Sequence, residues 1–274
     1  MTGANELTEA VQPGSPGIVL SSDGLGVFAR QVAALYVETG GTYFDAPGVD
    51  AWDEARDARS YPGPHSVVAH PPCQRWGRFW HGSTRAPHRF EKGDDGGCFA
   101  AALRVVKMWG GVIEHPADSH AWAAFGLPKP PRAGGWVGSV FDGWSCCVYQ
   151  GHYGHFAGKP TWLYVRGVLY RDLPELRWGP TEQRLHPRAV ELHGYAKARR
   201  IGMMAMVGGK DKTRIRNATP PEFRAVLLAL ARLVPETPNV RAKRATTAGR
   251  QARAGENVPC TARPGLVACR WRSA

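Results

Sequence analysis

Long apolar runs are missing from this chain. No stretch of about 18 apolar residues occurs in its 274 residues, which excludes a membrane-spanning helix of ordinary length. The opening segment MTGANELTEAVQPGSPG has neither the basic start nor the apolar core of a secretory signal, so a cytoplasmic location is expected. CxxC spacing is also absent. The six cysteines stand at positions 73, 98, 146, 147, 260 and 269, a pattern that fits neither a zinc ribbon nor a dense disulfide framework. Adjacent Cys146 and Cys147, with His115, His120, His152 and His155, make a poor chelating set, so no metal is expected.

Negative charge is scarce as well. Against 35 Lys and Arg there are only 23 Asp and Glu, leaving a net charge of +12 that favours a polyanionic partner. Half of that excess lies in residues 236–274, where eight Arg or Lys face two Glu and apolar residues are few. This stretch reads as a flexible basic tail, and residues 1–16 as a disordered amino terminus.

Glycine and proline are abundant, at 33 and 22 residues, so a loop-rich fold is expected. Gly17 to Leu20 reads as a short strand, and VFARQVAALYVE as a helix with Val27, Ala34 and Leu35 near one face. TYFDAPG reads as strand then turn, and DAWDEARDARSYPGP as a connector. SVVAH is a buried strand stopped by Pro71 and Pro72; GCFAAALRVVKMWG is a helix packing through Phe99, Leu103 and Val106; GGVIEHP is a strand ended by Pro116. A proline and glycine loop covers 126–138, and CCVYQ and TWLYVRGV supply later strands. TPPEFRAVLLALARLV is the clearest helix, with Thr219 as its cap, Pro220 in its first turn and Glu222 three residues on. The alternation of strand and helix predicts an α/β fold: an open, mostly parallel sheet spanning 17–170, a small basic segment at 171–218 and a closing helix at 219–235.

Cys73 and Glu114 then occupy equivalent places, each just beyond a short apolar strand and beside a proline. Residues at the carboxyl ends of such strands converge on one crevice. A thiol and a carboxylate brought together suit conjugate addition to a pyrimidine: sulfur attacks C6, the carboxylic acid meets N3, and C5 becomes nucleophilic. Arg75, close in sequence, is expected to favour the thiolate.

VVAHPPCQRWG resembles the Pro-Pro-Cys motif of the cytosine-C5 DNA methyltransferases, and VIEHP, 41 residues on, is similar to their strand-end glutamate motif. The segment from about Tyr43 to Val165 resembles a divergent phage-associated group of such proteins. The resemblance implies a methyltransferase-type sheet, Cys73 as nucleophile, Glu114 as the acid at N3, and S-adenosylmethionine as cofactor. It also implies DNA as partner, in duplex form with a flipped cytosine, inside a bacterial host cell if the protein is phage-encoded. Gln150, Tyr153, His155 and Lys159 would contact the base or its phosphates, and Asp57 and Pro71 the cofactor. The only glycine pair read as the family's cofactor loop is Leu20 to Gly26, with Asp23, Gly24 and Gly26, and the cofactor-binding end is expected to be reduced. Asp45 and Asp50, which follow the TYF strand, are expected to meet the ribose hydroxyls of the cofactor. Gln74, Arg75, Trp76 and Arg78 open an aromatic and basic run suited to a flipped base and its flanking phosphates. Arg214 and Arg216 are basic positions near the late helix. Two alternatives stay open: a relative that modifies C5 with another donor, and an inactive DNA-binding protein.

Overall fold

In the computed structural model the described residues are 30–82, 90–182, 184–201 and 216–235. They form a seven-stranded sheet with helices on both faces. The strands are β1 (Val32–Leu35), β2 (Val49–Trp52), β3 (Ser66–Ala69), β4 (Gly111–Pro116), β5 (Val137–Ser139), β6 (Gly143–Tyr149) and β7 (Pro160–Arg166). Their spatial order is β2-β1-β3-β4-β7-β6-β5. The helices are α1 (Cys98–Trp109), α2 (His120–Ala124), α3 (Pro187–His193), α4 (Tyr195–Ile201) and α5 (Pro221–Arg232). No helix among the described residues is long and apolar enough to cross a membrane.

The sheet has two halves. β2, β1, β3 and β4 run parallel, whereas β7 is antiparallel to β4, β6 to β7, and β5 to β6. The expectation of a mostly parallel sheet therefore holds for one half only. The reason is local: β6 and β7 are separated by just ten residues, a connection too short for a parallel crossover. Because β7 is reversed, its first residues lie at the same edge as the last residues of β3, β4 and β6.

VAAL, read as part of a helix, is instead a central strand. All four residues are fully buried. Ala33 and Leu35 enter the core under α1, while Val32 and Ala34 enter the core under α5. A strand covered on both faces is apolar at every position, so its four residues carry no alternation to separate it from a helix. The TYF strand is likewise corrected: Tyr43 lies in a turn, and the next strand runs from Val49 to Trp52, into the start of the supposed connector. The stretch Gly17 to Leu20 lies outside the described residues.

The other expected elements form. α1 spans the predicted segment and buries Phe99, Leu103 and Val106 against the sheet. Gly111, with φ of 125°, opens β4 where a Cβ would stand 2.0 Å from the Val67 carbonyl oxygen, so only glycine permits β3 and β4 to pair there. α5 covers the opposite face through Phe223, Leu227, Leu230 and Ala231. Its cap is Pro220 rather than Thr219, with no side-chain hydrogen bond at the helix start. The 126–138 loop ends one strand early, because Val137 already pairs with Ser145. In the basic segment α3 and α4 close a small core of Ala189 and Ala198 against Phe156 and Leu185.

Candidate active site

The site forms where the carboxyl ends of β3, β4 and β6 meet the start of β7. β3 delivers His70, Pro71, Pro72 and Cys73; β4 delivers Glu114 and His115; β6 delivers Gln150; β7 is preceded by Lys159 and contributes Thr161. Residues far apart in the chain thus meet because three strands end and a fourth begins on one edge.

The Glu114 carboxylate is held from two sides. His70 Nδ1 lies 3.1 Å from Oε2, and the Gln150 amide nitrogen donates to Oε1 at 3.0 Å and to the Thr161 hydroxyl at 3.0 Å. His70 Nε2 lies 2.9 Å from the Tyr43 hydroxyl. Burial pushes Glu114 upward most, but the His70 hydrogen bond and the electrostatic pull of His70 and Lys159 together hold it below the usual carboxylate range. Glu114 is therefore ionised at rest.

Cys73 behaves in the opposite way. Burial raises its thiol, Glu114 raises it further, and Lys159 and Arg216 only partly offset them. Arg75 is not among the groups acting on the sulfur. Its guanidinium stacks 3.3 Å from the centre of the Phe90 ring and donates to the Trp80 carbonyl, so the expected thiolate-favouring role passes to Lys159 and Arg216. Lys159, with φ of 43°, donates to the Ala218 carbonyl; burial lowers it, while Glu114 and Cys73 favour its charged form.

The prolines acquire a physical role. The buried His115 ring faces the carbonyls of Pro72 and Pro71, and its Nδ1 lies 2.7 Å from the Ser119 hydroxyl. Burial brings His115 down to about 4, which keeps it neutral. Trp76 closes the cysteine turn from below. It is buried, its indole nitrogen donates to Asp95 at 2.7 Å, and the same carboxylate accepts from the backbone of Gly97 and Phe99 at the start of α1. A Cβ at Gly93 would stand 2.6 Å from the Trp76 ring. Trp76 is thus packed away from solvent rather than presented to a partner.

Several sequence-picked residues turn inward. Gln150 is buried and serves Glu114. Tyr153 is buried against Phe223, and its hydroxyl accepts from the Arg177 backbone. His155 is buried, with Nδ1 accepting from the Ala157 backbone. Gln74 and Arg78 are exposed, and Phe79 beside them is 71% exposed. Arg216 is exposed and faces the thiol. Arg214 lies outside the described residues, as do Asp23, Gly24 and Gly26.

The acidic groups near β2 are largely engaged. Asp50 accepts from Trp52 and Arg56, and Asp57 caps a short 3-10 turn and is chelated by Arg59. Pro71 is buried at the end of β3, and Asp45 is exposed. The loop that does follow the first central strand runs from Tyr36 to Gly48, and its first part, Tyr36–Gly41, holds the turn expected instead at Leu20–Gly26. In it Thr39 donates to the buried Asp53 at 2.8 Å, Glu38 is exposed, and open space surrounds the position of a Cβ at Gly40. Strand-then-Gly-Gly was the available signal. Among the described residues no group of His, Cys, Asp and Glu gathers to hold a metal ion. No protein-family model matches the chain, and no curated protein matches it.

Proposed function

We propose that the chain is a DNA cytosine-C5 methyltransferase working through a covalent Cys73 adduct. The observation that carries this reading is the convergence of a resting thiol, Cys73, with an ionised, doubly held carboxylate, Glu114, on one sheet edge. The raised thiol and the lowered carboxylate keep the resting pair as SH and carboxylate, so the proton leaves the sulfur only as its bond to C6 forms.

In the addition step the Cys73 sulfur bonds to C6, the C5–C6 π pair moves toward C5, and N3 takes a proton. The thiol loses one proton and N3 gains one, so no outside acid is needed. Glu114 carries the proton between them. Lys159 and Arg216 favour the thiolate as it forms. After transfer, water takes the C5 hydrogen as a proton, its bonding pair closes C5=C6 as the sulfur leaves with its own pair, and the N3 proton returns through Glu114 to the sulfur, restoring the ring and the free thiol.

The methyl group requires an electrophilic donor, and S-adenosylmethionine supplies one when bound. The chemistry of the first loop fits such a cationic, hydroxyl-bearing group: exposed Glu38 and Asp45 offer carboxylates, and Gly40 leaves room for close approach. Asp50 and Asp57 fit less well because arginines already occupy them. DNA as substrate is supported by the +12 charge, by Arg216 at the thiol, and by exposed Arg78 and Phe79 beside the cysteine turn.

The test is trapping on randomised duplex DNA containing 5-fluorocytosine, with S-adenosylmethionine present. A denaturation-resistant adduct that maps to Cys73 is expected. DNA retention without any adduct would favour a binding protein, and an adduct that forms only with another methyl or alkyl donor would favour the alternative donor.

A further inference from the structure

We infer that His70 is the positioning residue of this site, holding Glu114 in its reacting geometry and tying it, through Tyr43, to the loop that follows β1. The inference rests on the reading of Cys73 and Glu114 given above and adds a residue to it.

The atoms define a chain. An ionised carboxylate only accepts hydrogen bonds, so the His70 nitrogen 3.1 Å from Glu114 Oε2 must carry a hydrogen. That puts a hydrogen on Nδ1, and Nε2 on the far side of the ring meets the Tyr43 hydroxyl at 2.9 Å. Burial pushes the Tyr43 phenol well above its ordinary range, so its hydroxyl keeps its proton and can donate it in that bond. Contact with Tyr43 at Nε2 thus holds the ring with Nδ1 toward Glu114.

Tyr43 is itself fixed. It is buried in the α5-side core, and its neighbour Thr42 receives Arg224 of α5 at both the carbonyl and the hydroxyl. The first loop, the helix α5 and the carboxylate are thus mechanically linked. His70 stands directly before Pro71, so its backbone belongs to the same rigid turn that carries Cys73. One histidine consequently references the carboxylate to the nucleophile and to the loop at once.

The groups facing Glu114 come from every neighbouring element: His70 and Cys73 from the β3 turn, His115 from β4, Lys159 from the approach to β7, and Tyr43 from the first loop. Arg216 faces Cys73 and Lys159. Lys159 acts on Glu114 whatever stands at position 70, so His70→Leu removes only what His70 supplies, and His70→Asn restores the hydrogen bond alone.

The experiment compares His70→Leu with His70→Asn, whose amide nitrogen replaces Nδ1–H but cannot reach Tyr43. The Glu114 carboxyl titration is followed by carbon-13 NMR against a Glu114→Gln blank, and trapping on 5-fluorocytosine DNA is timed. Expected for His70→Leu is an upward shift of the Glu114 titration and trapping slowed by about 10- to 100-fold, the loss of one charge-assisted bond. His70→Asn should keep the low titration and most of the rate, with DNA retention equal in both. An unmoved Glu114 titration in His70→Leu, or His70→Asn no better than His70→Leu, overturns the inference. Absence of trapping by the wild type refutes the methyltransferase reading, and the positioning role is then decided by the titration alone.

Discussion

The Gln150 side-chain amide, at the end of β6, donates to Glu114 at the end of β4 across 3.0 Å. A reversed strand, β7, lies between the two, so this bond spans the junction of the parallel and antiparallel halves of the sheet. Gln150→Glu keeps the shape and sets a second carboxylate against the first. Two buried carboxylates at that distance share a proton, so folded-state proton affinity rises above the unfolded value. Stability should be closer to wild type at pH 5 and fall further below it at pH 8, read as urea midpoints. Gln150→Leu should cost about 1–3 kcal/mol at both pH values.

Glu114 and Lys159 act on the Cys73 thiol with opposite signs. In iodoacetamide alkylation followed by peptide mapping, Glu114→Gln should move the Cys73 pH midpoint down and Lys159→Met should move it up. Cys98, Cys146 and Cys147 are buried and should stay unlabelled in the native protein. Equal or like-signed shifts would mean that the carboxylate and ammonium do not both face the sulfur.

His115 sets an acid limit. It falls from 6.5 to about 4 on burial, so the unfolded chain takes up a proton that the fold refuses. Its neutral form supports the fold above pH 6.5, and this support is lost as pH drops from there toward 4. The span corresponds to about 3 kcal/mol. His115→Asn, which can still meet Ser119, should flatten that decline in denaturant titrations between these pH values.

The basic tail should affect affinity and leave the fold alone. All described strands and helices lie between Val32 and Arg232. Ending the chain after Pro235 should leave the melting temperature unchanged while reducing the slope of log affinity for duplex DNA against log salt, by about 0.9 for each phosphate contact removed. An unchanged slope would show that residues 236–274 do not touch the backbone.

Cys73, Glu114 and Lys159 were legible because each stands at a strand end marked by proline or by a polar break, and strand ends in an α/β sheet share an edge. His70 was passed over although it sits within the quoted motif, since a histidine beside two prolines carries no signal until Glu114 and Tyr43 are seen to meet it. β1 was misread for a physical reason: four residues buried on both faces show neither a two-residue nor a 3.6-residue period. That error displaced the first loop from Tyr36–Gly41 to Leu20–Gly26. Gln150, Tyr153 and His155 read in sequence as contacts to the base or its phosphates, but polarity alone cannot separate a side chain that meets a partner from one that satisfies a buried neighbour. Arg75 shows the same gap, being two positions from Cys73 in sequence and yet committed to Phe90.

The most direct test of base activation by Cys73 needs no methyl donor. Addition of sulfur to C6 makes C5 exchange its hydrogen with solvent, so the full chain is incubated with duplex DNA in heavy water and deuterium at C5 of deoxycytidine is measured by mass spectrometry after digestion. Deuterium uptake with the wild type and none with Cys73→Ser is the predicted result. Bound DNA with no uptake, or uptake that persists in Cys73→Ser, would contradict the account.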